Sequence, residues 1–304
     1  MFELKSLSEI IELKSSLLTK KEVSLFLKRE DQIDPFISGN KWRKLKYNFL
    51  EAEKNGFNRV LTFGGAYSNH IAATAAAAKK YNFKCVGIIR GDELNHNSNA
   101  TLSLAHSNGM NLKFISRSEY KKREESAWVN SLAKDQQAYL IPEGGSNRLA
   151  LKGVTEMIEE VDFDFDCAVC AVGTGGTLAG ITLGISKSQY ALGFASLKGV
   201  DYLESNVKSL VCEFDSRTNW KINHDFHFGG YGKYDNSLIE FINEFKKAHS
   251  IQLDPIYTGK MMFGLLSMIS KNEFKPGTKI LAIHTGGLQG IEGFNQKNGL
   301  LIKE

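Results

Sequence analysis

The sequence predicts an α/β protein with parallel sheets covered by helices, and three observations carry that prediction. Short apolar runs alternate with helical stretches from Arg59 to Ile141, the rhythm of strands joined by crossover helices. Cys167–Val172 and Lys279–Ile283 are apolar almost throughout, as strands buried on both faces should be. Glycine-rich turns beginning at Gly64, Gly173 and Gly286 follow three of these strands, and ligands in open α/β sheets bind at that edge.

In chain order, Ser8–Leu18 is expected to be helical, and Glu22–Lys28 alternates as a strand should. Gly39 and Asn40 form a tight turn that leads into a helix through Trp42, Leu45, Tyr47 and Leu50. Strands are then expected at Asn58–Phe63, Cys85–Ile89, Leu112–Ile115 and Ala138–Ile141. Helices are expected at Ile71–Lys80, Asn99–Ser107 and Ser118–Ala133. Beyond Pro142–Asn147 come a helix at Leu149–Val161, the strand Cys167–Val172 and a helix opened by Gly173–Thr177. Later elements fall at Lys198–Val200, Leu203–Phe214, Ser237–Lys247, Lys260–Ser270 and Lys279–Ile283, with a loop around Gly229–Gly232. No internal repeat appears.

With 304 residues, 42% of them hydrophobic and only 4 prolines, the chain can bury one large core or two ordinary ones. The net charge of +4 is mild, and its basic pairs lie among acidic or polar residues. That pattern fits solvated helix faces and argues against a nucleic-acid groove. Four cysteines lack framework spacing, which suits a reducing compartment, here the cytoplasm. Cys167 and Cys170 are three apart on a strand and so face opposite sides, which argues against a shared metal and for two small buried apolar residues. Charges interrupt the apolar residues of Met1–Leu18, so neither a signal peptide nor a membrane span is expected.

Four stretches carry chemistry. Lys41 sits where a loop gives way to a helix; it could be a solvated lysine or, facing inward, an amine of lowered pKa able to form a Schiff base. Gly173, Thr174, Gly175, Gly176 and Thr177 could cradle a phosphate with backbone amides and hydroxyls, or could be only a tight strand-to-helix turn. Ser68 and Asn69 could receive a carboxylate or phenolate, or serve as an N-cap. Tyr257, beside Gly259 at a helix start, could stack on a planar ligand or pack in the core.

In order, the stretches Lys28–Asp31, Ser38–Leu45, Gly64–His70, Pro142–Ser146, Gly173–Gly180, Asp254–Lys260 and His284–Gly287 resemble the pyridoxal-phosphate enzymes of the tryptophan synthase β fold, type II. The similarity is to the group containing D-cysteine desulfhydrase and 1-aminocyclopropane-1-carboxylate deaminase. It implies a three-layer αβα architecture with parallel sheets: a small α/β domain at 45–150 inserted into a large cofactor-binding domain of 1–44 and 151–304. It also implies a homodimer. By this resemblance Lys41 carries pyridoxal 5′-phosphate and moves the substrate's Cα proton, while Lys44 and Gly173–Thr177 hold the phosphate. Asn69 would bond the phenolic oxygen and Ser68 the substrate carboxylate, within a substrate loop of Tyr67, Ser68, Asn69 and His70. Tyr257 would stand at the ring, and Tyr231 would be a second tyrosine of the substrate site. No metal is implied.

Two positions depart from the family pattern. Thr258 stands where the deaminase carries a glutamate against the pyridine nitrogen, with Thr285 as a second hydroxyl. Hydroxyls there favour a neutral ring and a weaker electron sink, which suffices to expel thiolate but is poorly suited to opening a cyclopropane. Tyr67 stands where both types carry glutamine, so the pocket differs from either. The expected function is therefore α,β-elimination on a small amino acid, most like D-cysteine going to pyruvate, ammonia and hydrogen sulfide. The alternatives are the deaminase, giving 2-oxobutanoate and ammonia, and a homologue that holds the cofactor without turnover.

Overall fold

A computed structural model describes residues 7–37, 39–199, 202–212, 215 and 218–303. Ten strands form two sheets. The six-stranded sheet contains β1 (Ile10–Leu13), β2 (Ser24–Lys28), β7 (Cys167–Val172), β8 (Tyr190–Ala195), β9 (Trp220–Asn223) and β10 (Lys279–Ile283), in the order β1-β2-β10-β7-β8-β9. The four-stranded sheet has the order β5-β4-β3-β6, from β3 (Arg59–Gly64), β4 (Lys84–Arg90), β5 (Met110–Ile115) and β6 (Tyr139–Leu140). Every pairing is parallel except β1 with β2.

Both faces of the larger sheet are covered. Leu25, Val169 and Leu192 face one apolar cluster, packed against α10 (Asn236–His249) and α11 (Thr258–Ser270). Cys170, Val172 and Leu281 face the other, packed against α7 (Arg148–Glu159), α8 (Gly176–Gly184) and α9 (Tyr202–Cys212). Cys167 lies in the first cluster and Cys170 in the second, so they do face opposite sides. The smaller sheet is covered by α2 (Asn40–Lys54), α3 (Asn69–Lys80) and α4 (Ala100–Ser107) on one side, and by the Tyr120 and Trp128 cluster on the other.

The first turns of the chain differ from the sequence expectation. Residues 10–13 are the strand β1, and the helix α1 (Ser16–Lys21) starts only after Ser15, whose side chain accepts from the Leu18 N–H. Ile10–Leu13 reads as a helix only if the edge pairing with β2 is ignored. The expected single helix at 118–133 is α5 (Arg117–Tyr120), a 3₁₀ turn at Lys121–Glu124 and α6 (Ser126–Asp135), interrupted where Glu125 turns extended. β8, β9 and α12 (Gly290–Asn298) were not anticipated. Lys198 lies in a bend; Ser38, Val200 and Phe214 are outside the described residues, as are residues 1–6.

α2 is pinned by a buried charge network. Arg43 donates to both Glu30 oxygens at 2.9 Å and to Glu160, and Lys28 reaches Glu160 at 3.1 Å. Behind it α7 passes so closely that a Cβ on Gly153 would sit 2.1 Å from the Arg43 carbonyl. The start of α2 is fixed equally tightly. Gly39 has φ of +65°, and a side chain there would strike the Thr285 carbonyl.

Candidate active site

At the carboxyl edge of both sheets, the loops after β3, β7 and β10 meet the first turn of α2. Lys41 and Lys44 lie one turn apart on that helix, and both donate to the Gly144 carbonyl, at 3.4 and 2.7 Å. No carboxylate shares their position among the described ion pairs. Burial lowers the Lys41 amine to about 8, so the neutral, nucleophilic form is within reach near neutral pH, far more so than for an ordinary lysine. Lys44 is lowered further, by burial and then by the Lys41 charge.

Lys44 also donates to Ser146 Oγ at 2.8 Å, and Ser146 Oγ shares a hydrogen bond with Thr174 Oγ1 at 2.7 Å. Asn40 donates to Thr177 Oγ1 at 2.6 Å. A Cβ on Gly176 would lie 2.5 Å from Ser146 Oγ and 3.0 Å from Lys44 Nζ, so that glycine keeps open a space lined by an amine and hydroxyls. Gly175, with φ of +88°, starts α8 and directs its N-terminus at the same space. This is a cradle for an anion.

The loop after β3 comes next. Ser68 caps α3, its Oγ accepting from Ile71 N at 3.3 Å, and stays half-buried with Tyr67 and Asn69. Asn69 reaches the loop after β10, its Nδ2 lying 2.8 Å from where a Gly287 Cβ would be. His70 is buried and accepts or donates at Nε2 with Thr62 Oγ1, 2.7 Å away, while its Nδ1 finds no partner among the described residues. Burial and the charges of Lys41 and Lys44 hold the His70 imidazole neutral. The Tyr257 ring stands over Gly173, 3.2 Å from where a Cβ on that residue would lie, and Tyr231 meets Tyr257 edge-on at 6.1 Å.

The two threonines differ. Thr258 has no accessible surface; its hydroxyl donates to Asp254 Oδ1 at 2.8 Å and accepts from the Asp254 N–H at 3.0 Å. Thr285 retains 9% exposure beside Gly39 and Asn40. Asp254 thus gathers the start of α11, also accepting from the N–H groups of Ile256, Tyr257 and Thr258. Sequence reasoning gave no role to Asp254, Asn40, Ser146 or Lys260. Asp254 precedes Pro255 and the glycine-flanked helix start, a capping signal that could have been read; the other three declare themselves only through partners about a hundred residues away or, for Lys260, across a loop.

An inward amine, a basic and hydroxyl-lined pocket and a tyrosine over Gly173, gathered at the carboxyl edge of parallel sheets, are the parts a vitamin B6 enzyme needs. Residues 11–286 match the family described as pyridoxal-phosphate dependent enzymes, and the chain belongs to it. A bifunctional D-cysteine desulfhydrase and 1-aminocyclopropane-1-carboxylate deaminase, mitochondrial, of Arabidopsis thaliana is 33% identical over 294 residues, 88% of this chain and 73% of the relative. A Thermotoga maritima protein, provisionally named as the deaminase, is 34% identical over 286 residues, 88% of this chain and 90% of that one. The crystal structure of a deaminase homologue superposes with a TM-score of 0.85 at 27% identity, covering 98% of this chain and 95% of the other.

Proposed function

We propose that the protein is a lyase carrying out α,β-elimination on a small amino acid, most like D-cysteine. The observation that carries this is the half-buried Lys41 amine, lowered to about 8, one turn from an anion cradle. The residues fit pyridoxal 5′-phosphate: Lys44, Ser146, Thr174, Thr177 and the Gly173–Gly176 amides would hold its phosphate, and Gly176 leaves the room. Asn69 would hold the phenolic oxygen and Tyr257 would face the ring; of the two threonines expected toward the ring nitrogen, Thr258 spends its hydroxyl on Asp254, which leaves Thr285 for that role. When bound, the cofactor supplies the electron sink that stabilises charge at Cα.

The chain's own residues do the rest. Lys41 is the covalent attachment point and, as a free amine, takes the Cα proton. The Ser68 hydroxyl and the first N–H groups of α3 receive the substrate carboxylate. Tyr67 and Tyr231 bound the substrate on the open side, and the neutral His70 adds no charge that would compete for the carboxylate. From D-cysteine and water the products are pyruvate, ammonia and hydrogen sulfide. Incubating the loaded enzyme with D- and L-amino acids, and measuring keto acid, ammonia and sulfide, tests this.

The names of the Arabidopsis and Thermotoga relatives favour a second reading, deamination of 1-aminocyclopropane-1-carboxylate. Formation of 2-oxobutanoate would establish it, and the absence of any turnover would leave a cofactor-holding homologue. Residues 45–150, which contain the four-stranded sheet, form the smaller domain in this reading, and the cleft beside it closes on substrate. A homodimer and a cytoplasmic setting complete the proposal; light scattering checks the first. Among the described residues no helix is long and apolar enough to cross a membrane.

A further inference from the structure

Lys260, on the first turn of α11, is 1% exposed. Its Nζ donates to two backbone carbonyls, His227 O at 2.9 Å and Gly230 O at 2.7 Å. Those carbonyls belong to a loop that needs fastening. Phe228, Gly229, Gly230 and Gly232 all have positive φ, at +53°, +90°, +119° and +64°. Its own hydrogen bonds are few and local: Gly230 N to His227 O, Lys233 N to Gly230 O, and Gly229 N to His227 Nδ1. The three glycines adopt these angles without strain but leave the backbone free to move, and Phe228 alone holds a strained one, so the loop keeps this shape only where its surroundings fix it.

The loop ends on Tyr231, whose hydroxyl donates to the Tyr67 carbonyl at 3.1 Å. Tyr67 directly precedes Ser68 and Asn69, so this one bond joins the segment after β9 to the substrate loop after β3, one from each sheet. The Tyr231 ring rests edge-on against Tyr257, three residues before Lys260. Tyr231 is also 40% exposed, so it forms the outer wall of the site.

We propose that Lys260 is a positioning residue that fixes the 227–232 loop so that Tyr231 closes over the substrate, and that this loop is a latch joining the two sides of the cleft. The proposal rests on the functional reading above only for where the substrate lies. Among the described residues the Lys260 amine donates to two neutral carbonyls and to no carboxylate, and the nearby Asp254 favours its charged form without bonding it, so its direct bonds go to holding this loop.

The test compares the cofactor-loaded wild type with Lys260→Met, Lys260→Arg, Tyr231→Phe and the Lys260→Met/Tyr231→Phe double variant. Hydrogen exchange followed by mass spectrometry should show faster exchange confined to 226–233 in Lys260→Met, restored toward wild type in Lys260→Arg. With D-cysteine, KM should rise roughly 3- to 10-fold in Lys260→Met and Tyr231→Phe, as expected when hydrogen bonds to main-chain carbonyls are lost, with kcat held within about twofold. The double variant should be no worse than the worse single one, because both changes open the same latch. Unchanged exchange in 226–233, or effects that multiply in the double variant, would overturn the proposal. If Lys260→Met yields no folded protein, Lys260→Gln, which keeps an amide donor, carries the same comparison. If the wild type turns over no amino acid, the function assigned above fails, and the exchange pattern still decides the role of Lys260.

Discussion

Lys41 and Lys44 direct their amines at one oxygen, the Gly144 carbonyl, from 3.4 and 2.7 Å. Sharing a neutral acceptor keeps two like charges close without a carboxylate to hold both protonated. In the function proposed above, one of these amines serves covalent chemistry and the other an anion, and the Gly144 carbonyl is the acceptor they share.

The first prediction concerns that pair. A lysine with its folded pKa lowered to about 8 is about one-tenth neutral at pH 7 and about nine-tenths neutral at pH 9. The apoprotein should therefore capture pyridoxal phosphate faster as pH rises through 8, levelling off well below the ordinary lysine pKa. The sign for stability follows the same shift. Between about pH 8 and the unfolded value the unfolded chain binds the extra proton, so this group adds stability as pH rises. Borohydride reduction of the loaded protein should tag Lys41, and Lys41→Ala should cut turnover by roughly 100- to 10,000-fold or more with an unchanged far-UV spectrum. A rate that keeps climbing past pH 10, or a tag on another lysine, would remove Lys41 from its role.

Gly176→Ala should weaken cofactor binding more than folding. The new Cβ meets Ser146 Oγ at 2.5 Å and Lys44 Nζ at 3.0 Å, both of which would line the phosphate site. Overpacking of this kind costs about 1–3 kcal/mol, and here the side chains that must give way are ligands. Titrating the apoprotein with cofactor by its visible absorbance should show the loss, with a smaller change in the urea midpoint. Equal losses in both would mean that the glycine serves only helix packing.

Arg43→Met addresses the scaffold. Arg43 is fully buried between Glu30 and Glu160, with Lys28 alongside, and its removal leaves two carboxylates facing one ammonium. Breaking a buried pair by deleting one partner costs about 3–5 kcal/mol, so the urea midpoint should fall steeply at pH 7. The loss should shrink at pH 5, where a stranded carboxylate can take up a proton. A midpoint within error of wild type would show that the network is not what holds α2.

Much of this was legible along the chain because it is local. Strand and helix alternate with clear periods from β3 to β7, and glycines mark the turns that become the site. What stayed hidden depends on contacts distant in sequence. β8 reads Tyr190-Ala191-Leu192-Gly193-Phe194-Ala195, with small residues of low strand propensity; it is a strand because it pairs with β7 and β9, and Gly193 must stay small because a side chain there would collide with Val172 and Leu178. β1 carries Glu12 between apolar residues and is defined by its antiparallel pairing with β2. The anion cradle likewise could be suspected from Gly173–Thr177, but Ser146 joins it only because the fold sets the 142–146 turn against Thr174.

The last prediction follows from the two threonines. If substrate choice were set at Thr258 alone, Thr258→Glu would turn the enzyme toward 1-aminocyclopropane-1-carboxylate. The structure argues otherwise. Thr258 has no accessible surface, and its hydroxyl is engaged by Asp254 on both sides, giving its proton to Oδ1 and accepting the main-chain N–H. A glutamate there would place a second carboxylate against Asp254, whose own carboxyl burial already pushes up. It would also lose both bonds of the Thr258 hydroxyl, which brace the Asp254 that caps the start of α11 and seats Tyr257. Thr258→Glu should therefore cost roughly 3 kcal/mol or more and yield no 2-oxobutanoate. Adding Asp254→Asn removes the like-charge contact and should recover part of the melting temperature without restoring activity. A Thr258→Glu protein that melts like wild type and releases 2-oxobutanoate would show that Asp254 is no obstacle and that this one position selects the substrate.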